Sequence, residues 1–190
     1  MEGGCAGLQI AVQSADTIPM EEEPQGGGAE DTALLIPEFV ALNRRRTHGN
    51  PPLDVRELER WMELRLLLGQ ALSPVPEGVD PGRRRALRVP THLKVRCSHD
   101  SKDRIDTANE ISEGGLFLPT DNPLAPGTPL CLELEGLDDG EPLQVEGVVV
   151  WVRDHATPDG PVGMGIRFAN LDEVQRQAVC FLVERALTRV

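Results

Sequence analysis

Two short stretches carry residue types able to bind and orient a ligand. Arg83-Arg84-Arg85-Ala86-Leu87-Arg88 puts four guanidinium groups into six residues. Each group is a planar fork of donors that pairs bidentately with phosphate, carboxylate or the O6/N7 edge of guanine. Arg84 and Arg88 are four apart: they share a face on a helical turn and reach separate groups in an extended loop. The second stretch is Asn109-Glu110-Ile111-Ser112-Glu113-Gly114-Gly115-Leu116-Phe117. Glu110 can accept the ring and amino N–H donors of a guanine, and Ser112 can donate or accept at short range. Gly115 admits the close approach of a backbone or ligand. The two stretches are chemically complementary, with cations for phosphate and the guanine Hoogsteen edge and a carboxylate for the guanine donors. Each also has a plainer reading. An arginine run is commonly a solvated basic linker, and a carboxylate, hydroxyl and glycine between two strands suit an ordinary β-turn or bulge.

No catalytic constellation competes with these stretches. His92, Cys97 and His99 form the one cluster of metal-ligand types, and their spacing fits no standard zinc pattern. Asp138-Asp139-Gly140-Glu141 reads as a hairpin turn rather than a calcium loop. Gly163-Met164-Gly165 lacks the further glycine and helix of a dinucleotide fingerprint, so it reads as strand packing or a bulge. Trp151 suits either a stacking role against a base or a place in the core or barrel rim. P-loop, nucleophile-elbow and HExxH patterns are absent from the sequence. No enzymatic activity, cofactor or metal site is therefore expected.

Composition narrows the remaining classes. The 190-residue chain has a formal net charge of -12, which argues against general affinity for DNA or for an anionic membrane. No apolar run approaches the ~20 residues of a membrane helix, and the acidic, Gly-rich N-terminus lacks the features of a secretory signal. Cys5, Cys97, Cys131 and Cys180 are scattered, as expected for reduced thiols in a cytoplasmic protein.

Four segments must position the two stretches. Residues 1–30 are Gly-rich and acidic and are expected to be a disordered tail. Residues 31–73 read as a helical hairpin. Its first helix has Pro37 at the first turn and Leu35, Phe39 and Leu42 on one face. Gly49-Asn50-Pro51-Pro52 breaks that helix, which is expected to run to about Arg46. Asp54 then caps a second helix, with Glu57 completing a capping box and Leu58, Trp61, Met62, Leu68 and Leu72 as its apolar spacing. So small a hairpin must pack on the following domain, on a second copy of itself as a homodimer, or on a partner. Residues 74–82 are a Pro/Gly linker. Residues 83–190 change to period two, with strands expected at Val89–Ser98, Ile105–Ile111, Gly115–Pro119, Leu130–Glu135, Leu143–Val152 and Val162–Phe168. Short strands joined by tight turns point to an antiparallel sheet closed as a small barrel. A last helix, expected to be capped by Asn170 with Glu173, carries Val174, Ala178, Phe181, Leu182 and Leu187 and covers an end or edge of the barrel.

From residue 83 to the C-terminus the sequence resembles the PilZ family of cyclic di-GMP receptors. The resemblance rests on an RxxxR motif, Arg84 to Arg88, and a D/NxSxxG motif, Glu110 to Gly115. The strands Val148–Val152 and Val162–Phe168 follow in the family's order and spacing. The form Ile-Ser-Glu-Gly-Gly-Leu-Phe with a hairpin ahead is most similar to PilZ proteins of myxobacteria. The resemblance implies a mainly β fold: a six-stranded antiparallel barrel with a C-terminal α-helix. It implies cyclic di-GMP as ligand, with Arg84, Arg85, Arg88, Glu110, Ser112 and Gly115 as its site. It further implies a second-messenger role in motility or surface behaviour, relayed to an unidentified protein partner. One position departs from the pattern: Glu110 stands where the family has Asp or Asn, keeping a charge but placing it one methylene further out. Some PilZ domains bind no nucleotide and serve as protein-interaction modules, and that substitution makes this the alternative.

Overall fold

The computed structural model describes residues 29–49, 51–74, 86–100, 102–135, 140–158 and 160–190. The expected tail up to residue 28, the linker from residue 75, and Arg83, Arg84 and Arg85 lie outside the described residues.

The hairpin consists of α1 (Ala29–His48) and α2 (Val55–Leu72). Pro37 was expected at the first turn but lies inside α1, which begins about two turns earlier. Proline cannot donate to the carbonyl one turn back. Burial of Ile36, Phe39 and Val40 on both sides of it holds the segment helical. α2 starts as expected: the Asp54 carboxylate accepts from the Glu57 N–H at 2.9 Å, and the Glu57 carboxylate accepts from the Asp54 N–H at 3.0 Å. Its apolar spacing resolves into two faces. Leu64 and Leu68 are fully buried with Trp61 and Leu72 beside them, whereas Leu58, Met62 and Leu66 point outward. Burying each of the two leucines contributes about 1.5–3 kcal/mol.

Six strands follow: β1 (Val89–His99), β2 (Lys102–Ser112), β3 (Gly115–Pro119), β4 (Pro129–Leu134), β5 (Leu143–Arg153) and β6 (Gly163–Ala169). They form a closed antiparallel barrel in the order β1-β2-β3-β6-β5-β4. The seam joins β1 to β4, with Val95 opposite Leu134 and Cys97 opposite Leu132. Alternate residues fill the interior, among them Val89, Val95, Leu118, Leu132, Leu134, Val149 and Met164. Irregularities fall between Pro90 and Leu93 in β1 and between Val149 and Trp151 in β5. Both adjoin the site described below, as bulges that redirect side chains commonly do.

The last helix, α3 (Glu173–Leu187), packs on β1, β2 and β5. Its cap differs from the expectation. Asp172 and Gln175 form the capping box, while Asn170 takes a left-handed conformation (φ 51°) and its amide donates to Glu146. A left-handed residue turns the chain out of β6, so the helix starts only after it. The buried stripe is Val179, Leu182, Val183, Ala186 and Leu187, with Val174 and Phe181 outside. Leu182 and Leu187 were expected inside; Val174 and Phe181 fall on the flank of the helix, off the arc centred on Val179, Val183 and Ala186 that is buried.

The hairpin packs on the barrel and shares one apolar core with it, running from Phe39, Leu64 and Leu68 through Leu87 to the barrel interior. Asn43 of α1, 2% exposed, is the polar centre of the junction. Its Oδ1 accepts from Trp61 Nε1 at 3.1 Å and from Arg46, and its Nδ2 donates to Glu113 at 3.3 Å. Arg46 grips both oxygens of Glu113, at 3.0 and 3.1 Å, and lies over the Trp61 ring. Arg44 pairs at 2.7 Å with Glu184, a buried carboxylate of α3.

Candidate functional site

The β2–β3 hairpin builds the polar corner. Its connection is the dipeptide Glu113-Gly114, with Ser112 paired across to Gly115. The buried Ser112 hydroxyl donates to the Gly115 carbonyl at 3.1 Å and closes the turn. The Gly114 carbonyl accepts from the Phe168 N–H at 3.0 Å, tying the turn to β6. Gly115 is required here: a Cβ on it would lie 2.1 Å from the Ile166 carbonyl oxygen.

Strand pairing then delivers the charges. In the β1–β2 register Pro90 is opposite Glu110 and Val89 opposite Ile111, so Arg88 arrives beside Glu110. The two form an ion pair of 3.2 Å, with Arg88 Nη1 on Glu110 Oε2. The other carboxylate oxygen, Oε1, accepts from the Ser73 hydroxyl at 2.6 Å. Ser73 is the C-cap residue of α2, and its backbone N–H donates to the Gly69 carbonyl. The hairpin therefore reaches the corner on both sides of Ser112, at Glu110 through Ser73 and at Glu113 through Asn43 and Arg46.

These residues border a cavity of about 370 Å³, with Arg88, Glu110, Ser112, Gly115, Trp151 and Arg167 in its wall. An adjoining groove contains Ser73, Asn109, Glu110 and Arg153. Phe117 and Trp151 stack with ring centroids 5.1 Å apart, and the Arg153 guanidinium lies 5.2 Å from the Phe117 ring. The wall thus combines donors for an anion, a carboxylate edge, an aromatic surface and a backbone free of side chains at Gly114 and Gly115. Such a set can hold a planar, donor-bearing ring together with an anionic group.

Of the six site residues expected from sequence, Arg88, Glu110, Ser112 and Gly115 come together at this cavity. Arg84 and Arg85 lie outside the described residues. Sequence reasoning missed Ser73, Phe117, Arg153 and Arg167. Arg167 could have been found: it is two residues from Gly165 on β6, so it shares the face that carries the rings. Ser73 had no local signal, because its partner is 37 residues away. Trp151, for which both a core or rim place and a stacking role are expected from sequence, lies over Gly165 on the outer face of the sheet and lines the cavity. Among the described residues no group of three His, Cys, Asp or Glu is placed to hold a metal ion, and no helix is long and apolar enough to cross a membrane.

Comparison with known proteins follows the same boundaries. No curated protein matches the chain. Similar solved structures include the Bacillus subtilis inhibitor of motility MotI/DgrA, at 19% identity and TM-score 0.45, covering 54% of this chain and 50% of that one. A K. pneumonia MrkH–c-di-GMP complex is 18% identical with TM-score 0.44, covering 53% and 49%. The PilZ domain with c-di-GMP of YcgR from Escherichia coli is 22% identical with TM-score 0.39, covering 54% and 92%. The chain thus spans about half the length of the first two. The family model described as the PilZ domain matches residues 82–184, more than half of the sequence, from just ahead of the arginine run to the last turns of α3: the chain belongs to the PilZ domain family.

Proposed function

We propose that this protein is a PilZ-type receptor for cyclic di-GMP. The observation that carries the reading is the meeting of Arg88, Glu110, Ser112 and Gly115 at one cavity, with Phe117–Trp151 and Arg167 in the same wall. Glu110 accepts the N–H edge of one guanine. Arg88, joined by Arg84 and Arg85 from the preceding segment, takes phosphate oxygens or the guanine O6/N7 edge. Arg167 is a further cation on the same wall. The protein acts in the cytoplasm as an adaptor rather than an enzyme. It relays the nucleotide signal to a protein partner in motility or surface behaviour.

Titration calorimetry of the full chain with cyclic di-GMP at near-physiological salt tests the reading. Saturable binding that Arg88→Ala weakens at least tenfold supports it, since the variant removes a charge-assisted contact. Binding unchanged in both Arg84→Ala and Arg88→Ala overturns the site. A specific observation favours the alternative, a protein-interaction module without nucleotide: both oxygens of Glu110 already have protein partners. No binding by the folded wild-type protein or by Glu110→Asp selects that alternative.

A further inference from the structure

We infer that Ser73 is a built-in competitor of the ligand, and that its release from Glu110 is how an occupied site acts on the helical hairpin. The inference rests on the receptor reading above and deepens it. A guanine presents its ring N–H and amino N–H side by side, so it needs both oxygens along one carboxylate edge. Here Arg88 holds Oε2 at 3.2 Å and Ser73 holds Oε1 at 2.6 Å. The arginine can turn outward to a phosphate of the same ligand. The serine, at the C-cap of α2, gives up its short bond to Oε1 when the base arrives.

The length of Glu110 makes this contact. An aspartate at the same point of β2 holds its carboxylate about 1.5 Å closer to the strand, away from the end of α2. The extra methylene therefore has a use: it joins the cavity to the helix cap. The remaining anchors of the hairpin lie elsewhere. Asn43 and Arg46 hold Glu113, whose side chain does not line the cavity, and Arg44 holds Glu184 on α3. An incoming ligand thus removes the tie between Glu110 and the C-cap of α2 while these contacts of α1 stay in place. The freed end is the one that continues into the arginine-bearing segment ahead of β1.

Energetically this is a conformational cost on affinity. The ligand binds only the fraction of molecules in which Ser73 has let go, so the apparent Kd is the intrinsic Kd divided by that fraction. Removing the hydroxyl tightens binding by roughly three- to tenfold, the worth of one hydrogen bond to a charged group exposed on one side.

The test is cyclic di-GMP calorimetry on the full chain in wild-type, Ser73→Ala and Glu110→Asp forms, with amide hydrogen exchange over α2 and α1. Tighter binding by Ser73→Ala is expected, together with ligand-induced exchange at Leu72 and Ser73 in the wild type but not at α1. Glu110→Asp, which lacks the reach, is expected to show the fast-exchanging α2 end without ligand. A wild type that binds no nucleotide while Ser73→Ala does would be the same mechanism at its limit. Equal or weaker binding by Ser73→Ala, with the wild type binding well, overturns the competition and leaves the receptor reading standing. No binding by any of the three removes the receptor reading and the competition with it.

Discussion

Trp151 lies directly over Gly165. The two are cross-strand partners between β5 and β6, and a Cβ added to Gly165 would come within 2.1 Å of Trp151 Nε1. Gly165 is also the partner of Phe117 on β3, so both rings lean over one bare stretch of backbone and stack there. The aromatic wall of the cavity therefore depends on a residue with no side chain. Gly165→Ala is expected to push Trp151 off the stack. The cost is about 1–3 kcal/mol, as for overpacking a filled site, and the tryptophan near-UV circular dichroism signal should fall. A variant with unchanged urea midpoint and unchanged near-UV signal would show that Trp151 does not rest on the glycine.

Asn43 makes a parallel case at the hairpin junction. Its carboxamide satisfies Trp61 Nε1, Arg46 and Glu113 together while nearly inaccessible to water. Asn43→Leu fills the space but strands the indole N–H, and is expected to cost about 1–3 kcal/mol. Glu113→Gln, on a partly exposed side chain, should cost less than half as much because water replaces its partners. Thermal unfolding followed by tryptophan fluorescence separates the two. A Glu113→Gln penalty equal to that of Asn43→Leu would move the junction's weight from the buried amide to the ion pair.

The barrel was legible because its information is local and periodic. Alternation in β1 and β4 fixes inward faces, and turn residues fix the breaks, so Gly115–Pro119 coincides with the observed β3. The corner was legible for the same reason: Glu110, Ser112 and Gly115 are close in sequence and on one hairpin. What sequence misplaced depends on which neighbour covers a helix. Pro37 looked like a start because proline favours first turns, yet burial of Ile36 and Phe39 overrode it. Asn170 and Asp172 are both good caps, and only the left-handed turn at Asn170 decides between them. The contact of Ser73 with Glu110 is tertiary altogether and leaves no trace in spacing.

The start of α2 is expected to be sensitive to acid. Glu57 is held below the usual carboxylate range, first by its bond from the Asp54 N–H and then by its contact with Arg45. A carboxyl whose folded value is depressed stabilises the fold fully above its unfolded value, and that contribution is lost as pH falls through the lowered one. Hydrogen exchange in the first turn of α2 should therefore accelerate as pH drops below the usual glutamate range, after correction for intrinsic rates. Glu57→Gln keeps a capping acceptor but no charge, so its first turn should show a flatter dependence. An equally steep response in Glu57→Gln would assign the acid sensitivity to another group.

Thiol chemistry offers an independent check on which faces are closed. Burial pushes the Cys97 and Cys180 thiols up to about 11, whereas Cys131 is exposed on β4. Cys97 lies inside the barrel at the β1–β4 seam, opposite Leu132, and Cys180 is buried on α3 near Arg46 and Glu113 of the hairpin junction. At a pH of roughly 8 each raised thiol is about one part in a thousand thiolate, and the thiolate is the reacting form. In a Cys5→Ser background, alkylation should modify Cys131 within the fast phase. Cys97 and Cys180 should follow at least a hundredfold more slowly, accelerating about tenfold per pH unit while the fold persists. Mass mapping of the modified sites reads the order directly. Fast labelling of Cys97 would mean that the seam between β1 and β4 opens in solution. Fast labelling of Cys180 alone would mean that the hairpin lifts off α3 while the strands stay closed.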